Sequence, residues 1–285
     1  TFKKVFNSAL HASFRVGTTA TYLRNNESYM SLHAVTGKII FRRTLSWMIN
    51  RGYLASPTII LFEFAGKPAD QDEWHKEYTG GISLNVLRND MIVCITKIMY
   101  ESNLSIVMFV TEKAQGEYLY EELQKVVPAR QIAYLHGEEV LLTVRKPTMI
   151  EFQKGKVRIL IATRILNEGV DFPEANCGIK AGGQKFEGNT LQQFGRILRK
   201  VKSPLSKDIN KHQMQRVFWI DLCDTHSKIL ASHSLKRIET YESEEAFDIR
   251  YISSIDELKE ILDEQISEAK IIREKNSTSK RRTQK

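Results

Sequence analysis

The sequence predicts an α/β fold in which a parallel sheet is covered by helices on both faces. Short apolar runs recur in the second half of the chain, at 104–110 (LSIVMFV), 157–163 (VRILIAT) and 217–222 (VFWIDL). Segments of helical spacing separate them, at 111–126, 142–153 and 190–200. Runs that stay apolar, rather than alternating with polar residues, are strands buried on both faces, and their alternation with helices gives a parallel sheet. The composition agrees: 285 residues with 42% hydrophobic and 27% charged is ordinary globular usage, which excludes collagen, coiled coil and bulk disorder. No apolar run approaches the roughly 18 residues of a membrane span.

Taken in order, 14–17 reads as a short buried strand followed by a turn-rich 18–24. The spacing predicts a short helix over 44–52, stopped by Gly52 as a C-cap. Residues 58–64 (TIILFEF) form a β-rich run. The polar stretch 66–81 contains Pro68 and the pair Gly80-Gly81 and is the best linker. Beyond it come a helix over 84–101, the strand 104–110, a helix over 111–126 with Thr111 as N-cap, and a strand at 131–135. The series continues with a helix over 142–153, the strand 157–163, a strand at 177–181, a helix over 190–200 and the strand 217–222. Ser254-Ile255-Asp256-Glu257 has capping-box form and opens a helix with Ile255, Leu258, Leu262 and Ile266 on one side. Residues 276–285 are polar and basic, a disordered composition.

The expected organisation is a first unit over 1–65, a linker over 66–83, the α/β domain over 84–241, an acidic segment with a terminal helix over 242–275, and the basic tail. Charge follows these divisions. Of the net +8, residues 270–285 carry +6, with seven Lys or Arg against the single acid Glu274. Residues 239–269 carry −9, with eleven acids against two bases, so 1–238 stands at +11. A body of that charge attracts polyanions such as nucleic acid. Cys94, Cys177 and Cys223 lie far apart with no CxxC spacing, which argues against a disulfide framework or cysteine zinc site and for a reducing, cytoplasmic setting.

The most informative segment is Leu191-Gln192-Gln193-Phe194-Gly195-Arg196-Ile197-Leu198-Arg199. On a helix at about 100° per residue, with Gln192 at 0°, Arg196 falls near 40°, Arg199 near −20° and Gly195 near −60°. Leu191, Phe194, Ile197 and Leu198 occupy the opposite side. One side packs on the sheet; the other carries two guanidiniums, an amide and a glycine that permits close approach. Like charges stacked on one side destabilise a helix unless an anion lies between them, and arginine suits bidentate phosphate recognition.

Gln192, Gly195, Arg196 and Arg199 fill QxxGRxxR, motif VI of the superfamily 2 helicases. The stretch 162–173 (ATRILNEGVDFP) resembles motif V, 104–110 with Thr111 motif IV, and His136-Gly137 the glycine motif of these proteins. Arg15-Val16-Gly17-Thr18-Thr19-Ala20-Thr21 is similar to motif III, with Tyr22 in place of the usual proline. Gly37-Lys38-Ile39-Ile40 and Gly52-Tyr53-Leu54-Ala55 match the branch of phage recombination helicases and XPB-like helicases. The ordered match runs from about residue 2 to 241.

This resemblance implies a RecA-like second helicase domain preceded by the tail end of a first RecA-like domain. It implies an ATP-dependent helicase or translocase acting on nucleic acid, DNA in preference to RNA, with ATP and Mg2+ as cofactors. Arg196 and Arg199 would be catalytic, meeting the nucleotide phosphates with Gln192, while Gly169 and Asp171 approach the nucleotide. Thr111, Gly137 and Thr163 would touch nucleic-acid phosphates, and Thr19, Ala20 and Thr21 would couple hydrolysis to domain movement. The motif V strand ends at Thr163, and the chain turns there at the carboxyl edge of a parallel sheet, where such folds bind ligands.

A helicase also needs a phosphate loop and a DExH acid pair for magnesium. Gly37-Lys38, Gly66-Lys67 and Gly155-Lys156 are followed by Ile39, Pro68 and Val157, never Ser or Thr. Asp72-Glu73-Trp74-His75 spells DExH but follows motif III and lies in a polar linker, whereas the functional pair ends a buried strand before it. The expectation is that the pair, and most of the first RecA-like half, precede Thr1, so that this chain alone is inactive and Mg2+ is held mainly upstream. The alternatives are a non-catalytic nucleic-acid-binding or regulatory module, or the motor part of a restriction or repair complex. His226 and His233, seven apart, form no metal site, and Trp74 and Trp219 are read as packing residues.

Overall fold

A computed structural model describes residues 8, 11–14, 16–18, 33, 34, 36–66, 74–136, 142–163, 172, 174–185, 193–198, 216–265 and 267. Its centre is one seven-stranded sheet. The strands are β1 (Ser56–Phe64), β2 (Ile106–Phe109), β3 (Ile132–Leu135), β4 (Ile159–Ala162), β5 (Cys177–Lys180), β6 (Arg216–Asp224) and β7 (Asp248–Ile252). Their spatial order is β3-β4-β2-β5-β6-β1-β7. Every pairing is parallel, as the apolar runs predict.

Alternate residues along each strand feed two cores, one on each face. On the first face Ile60, Ile106, Met108, Ile161, Ile179 and Ile220 meet Ile92, Ile95 and Met99 of the helix Val86–Glu101, Leu119 and Leu123 of the helix Lys113–Gln124, and Leu258 and Leu262 of the helix 255–265. On the second face Ile59, Leu61, Val107, Phe109, Leu160 and Trp219 meet Phe152 of the helix Leu142–Gln153, Tyr241 of the helix Lys228–Glu242, and Phe194, Ile197 and Leu198 of a helix at 193–197. No helix among the described residues is long and apolar enough to cross a membrane.

Several sequence expectations change. The divisions at 65 and 241 are not edges of the sheet. β1 pairs over nine residues with β6, and β7, from the expected acidic segment, pairs with β1. An apolar strand sequence does not reveal which sheet it joins. Within the expected linker, Trp74–Tyr78 is α-helical and Thr79–Ser83 forms a π-helical turn. Buried Tyr78 and Ile82 pack there with Leu230. The 14–17 strand does not appear among its described residues, and Phe14 is 90% exposed. Thr111 does not cap its helix: the N-cap is Glu112, with no side-chain cap bond. The capping box at 254–257 forms in part, with Glu257 reaching the amide one residue before the cap. Ser254 Oγ accepts from the Glu257 amide at 3.3 Å, and Glu257 accepts from the Ser253 amide at 3.1 Å. The hydrogen bond from Ser254, with those from Ser253, lowers the Glu257 carboxyl pKa.

Candidate functional site

Four strands end level with one another. Leu135 and Phe109 both stand opposite Ala162, and Phe109 also stands opposite Lys180. Hydrogen bonding continues one step past the strands: the Thr163 amide donates to Leu135 O at 3.1 Å, Val110 to Ala162 O at 3.0 Å, and Ala181 to Phe109 O at 3.0 Å. The next residues, His136, Thr163, Thr111 and Gly182, therefore share the carboxyl edge, where parallel α/β sheets bind ligands. Thr111 and Thr163, predicted separately from motifs IV and V, are thus neighbours there and half-exposed. Gly137 follows His136 but lies outside the described residues, as do Gly169, Asp171, Gln192, Arg199, Thr19, Ala20 and Thr21.

Gly182 approaches Thr111 closely. A Cβ on Gly182 would stand 2.5 Å from Thr111 Oγ1 and 3.2 Å from Tyr78 Oη. Burial, above all, raises the pKa of that phenol, which keeps it a neutral donor. The Thr111 hydroxyl faces this turn, which accounts for its not capping the helix behind it.

The helix 193–197 lies on the second face, as its apolar side predicts. Phe194, Ile197 and Leu198 are fully buried. The Phe194 ring packs on Trp219 at 5.3 Å and on Phe247 at 5.0 Å between centroids. Gly178 on β5 makes room: a Cβ there would run into Ile197 Cδ1 and the Trp219 ring. On the other side, a Cβ on Gly195 would meet nothing within 4 Å, and Arg196 is half-buried. An open glycine beside an arginine fits the approach of a phosphate group, so the described part of motif VI fits ATP. Among the described residues no group of three or more His, Cys, Asp or Glu could hold a metal ion. Cys177 and Cys223 are buried thiols whose pKa burial raises, so neither serves as a nucleophile.

The sequence reading missed a buried ionic cluster at the same end of β5 and β6. Arg88 donates to Asp224 at 2.6 and 3.1 Å and to Ala181 O at 2.6 Å. Arg237, from the opposite face, donates to Asp221 at 2.8 and 3.0 Å and to Gly183 O at 3.3 Å. Gln115 adds a bond to Ala181 O at 3.2 Å. The 181–183 turn that touches Thr111 is therefore gripped through its carbonyls by guanidiniums from both sides of the sheet. Lys180, 5% exposed, completes the cluster; burial first, then Arg237 and Arg88 against the opposing pull of Asp221, lowers its pKa to about 8. The signal was present in VFWIDLCD, because two carboxylates in a buried strand require cationic partners.

Comparison with known proteins fits this architecture. Residues 89–201 match the helicase conserved C-terminal domain. The DNA 3'-5' translocase XPB2 of Sulfurisphaera tokodaii is 32% identical over 93 residues, 30% of this chain and 21% of the translocase. In fold, the chain resembles T4 UvsW with a TM-score of 0.54 at 16% identity, covering 70% of this chain and 42% of UvsW. It resembles S. cerevisiae Dbp5 bound to RNA and ADP BeF3 with a TM-score of 0.55 at 14% identity, covering 87% and 54%. The matched region thus spans about a fifth of the translocase and about half of each structural neighbour. Residues 89–201 are thus similar to the helicase conserved C-terminal domain and lie in an α/β sheet whose fold is shared with T4 UvsW and S. cerevisiae Dbp5.

Proposed function

We propose that this chain is the carboxyl-terminal motor part of an ATP-dependent superfamily 2 helicase or translocase, acting on DNA in preference to RNA. The observation that carries the reading is the helix 193–197, which buries Phe194, Ile197 and Leu198 against β5 and β6 and leaves Gly195 open beside Arg196. Arg196 and Arg199 would bind the nucleotide phosphates as arginine fingers, stabilising the charge that develops during phosphoryl transfer. Gln192, Gly169 and Asp171 would complete the nucleotide contact. Thr111 and Thr163, half-exposed on one edge, would hold nucleic-acid phosphates with Gly137, while 19–21 couple the two events. Bound ATP and Mg2+ would supply the phosphoryl group and its neutralising charge, and Arg196 and Arg199 would contribute the phosphate contact. The preference for DNA rests on the translocase named for DNA, 32% identical over 93 residues, set against the ATP-dependent RNA helicase DBP4 of Kluyveromyces lactis, 24% identical over 110 residues.

Oligonucleotide binding tests the edge. Thr111→Val and Thr163→Val keep each side chain's volume and remove the hydroxyl. The reading expects the double variant to bind a labelled DNA strand about tenfold more weakly, since each lost hydrogen bond to a charged group is worth about 1.5–3 kcal/mol in full and less at a half-exposed site. Unchanged affinity in the folded double variant would remove these threonines from the nucleic-acid contact.

A further inference from the structure

A second basic surface lies apart from the carboxyl edge. From Gly37 to Leu54 the chain has four cations, Lys38, Arg42, Arg43 and Arg51, and no acid. The same stretch holds Phe41, Trp47 and Tyr53. Its short helix, Leu45–Asn50, is held in place. Thr44 Oγ1 accepts from the Trp47 amide at 3.1 Å, and Glu244 accepts from the Ser46 amide at 2.8 Å and the Ser46 hydroxyl at 2.6 Å. Leu45, Ile49 and Leu54 pack against the second core. Gly52, at φ +74°, makes the turn that returns Tyr53 over Trp47, with ring centroids 6.0 Å apart and planes 25° from parallel. The Arg43 guanidinium lies 4.4 Å from the Phe41 ring centre and 4.9 Å from that of Trp47, and Arg51 lies 5.3 Å from Trp47. Phe41 is 70% exposed and Tyr53 59%.

The geometry points to a contact site for single-stranded nucleic acid on residues 38–53, separate from the Thr111–Thr163 edge, with Phe41 and Tyr53 stacking on bases and the four cations meeting phosphates. Exposed aromatic faces interleaved with cations are the composition that binds single strands without sequence preference, because every base offers a π-face and every nucleotide a charge. An interface core between protein parts is depleted in charge, whereas this surface concentrates one sign of it. The site is anchored beside motif VI: the Ala55 amide donates to Leu198 O at 2.9 Å. A strand held here would therefore be linked mechanically to the helix that carries Arg196.

The inference rests on nucleic acid being the substrate, and the test separates the two. The full 1–285 chain is titrated against fluorescein-labelled dT20 and against a duplex of equal length, with anisotropy as the readout and thermal melting as the check on folding. Phe41→Ala/Tyr53→Ala should weaken dT20 binding about tenfold or more, in line with the loss of stacking on one or two bases, while duplex binding falls much less. Arg42→Glu/Arg43→Glu should flatten the dependence of dT20 affinity on salt. If both pairs leave dT20 affinity unchanged while Thr111→Val/Thr163→Val lowers it, the 38–53 site is refuted and the edge reading stands. Equal losses on single strand and duplex would refute base stacking. No binding of either nucleic acid by the folded chain would overturn both readings.

Discussion

Removing the Arg237 guanidinium is the sharpest structural perturbation this fold offers. Arg237 and Asp221 are 1% and 0% exposed. The guanidinium meets both carboxylate oxygens and also donates to Leu222 O at 2.9 Å and Gly183 O at 3.3 Å. Among the described residues Asp221 keeps one other hydrogen-bond donor, the Tyr241 hydroxyl at 2.8 Å, which itself accepts from Trp219 Nε1 at 2.8 Å. Arg237→Ala therefore leaves the buried carboxylate hydrogen-bonded, among the described residues, only by a neutral donor, with Lys180 as the remaining nearby cation, and takes a donor from two carbonyls. Breaking one side of a buried pair costs about 3–5 kcal/mol. In a chain of this size each kcal/mol moves Tm by about 2–4 °C, so a fall of about 6–20 °C is expected in thermal melts followed by circular dichroism at pH 7. The double variant Asp221→Ala/Arg237→Ala should lose clearly less than the sum of the single variants, because the second change removes the stranded partner. A single-variant loss below about 1 kcal/mol, or additive losses in the cycle, would refute the claim that this pair locks the 181–183 turn.

Two further outcomes follow from the same region. Gly178→Ala places a methyl group against Ile197 Cδ1 and 2.5 Å from Trp219 Cε3. It should destabilise by about 1–3 kcal/mol through overpacking, and Ile197→Val should recover part of that in a urea titration; full stability in the single variant would mean that the helix 193–197 does not sit on β5. Lys180, with a folded pKa of about 8 against about 10.4 for an unfolded lysine, releases its proton in the folded chain first. Between pH 8 and 10 the unfolded chain therefore holds more protons and stability rises with pH; below pH 8 both states are charged and the penalty is complete. Lys180→Met should abolish that rise and stabilise the protein at pH 7 by up to about 3 kcal/mol. A wild-type stability that stays flat from pH 8 to 10 would contradict the burial of this amine.

Much of this was legible because the physics is local. β2 and β4 are uninterrupted apolar runs, and the two sides of the motif VI helix follow from its period alone. Thr111 and Thr163 each close an apolar strand, so their place at the carboxyl edge could be read residue by residue. Their adjacency could not, because it depends on β2 lying beside β4, and nothing within either run selects its neighbour. That β1 joins this same sheet, beside β6, could not be read for the same reason. The Arg88–Asp224 pair joins residues 136 apart in sequence; Asp224 announced a need for a cation, but the helix that supplies it looked amphipathic and ordinary. The 38–53 surface was not legible in the sequence, because its stacking depends on the turn at Gly52, which brings Tyr53 onto Trp47.

The central claim is that the helix 193–197 meets nucleotide phosphates, and Arg196→Ala tests it most directly when ATP turnover and DNA affinity are measured on the same variant, in a form of the protein that includes a phosphate loop. Arg196 is half-buried on the side away from Phe194 and Ile197, so the fold should survive the change. The expected result is a fall in turnover of about three to five powers of ten, the range for arginine fingers, with DNA affinity in the absence of nucleotide retained and no rescue by Arg196→Lys, which keeps the charge but loses the planar fork. A folded Arg196→Ala protein with near-normal turnover would contradict the account, because this helix would then not face the nucleotide.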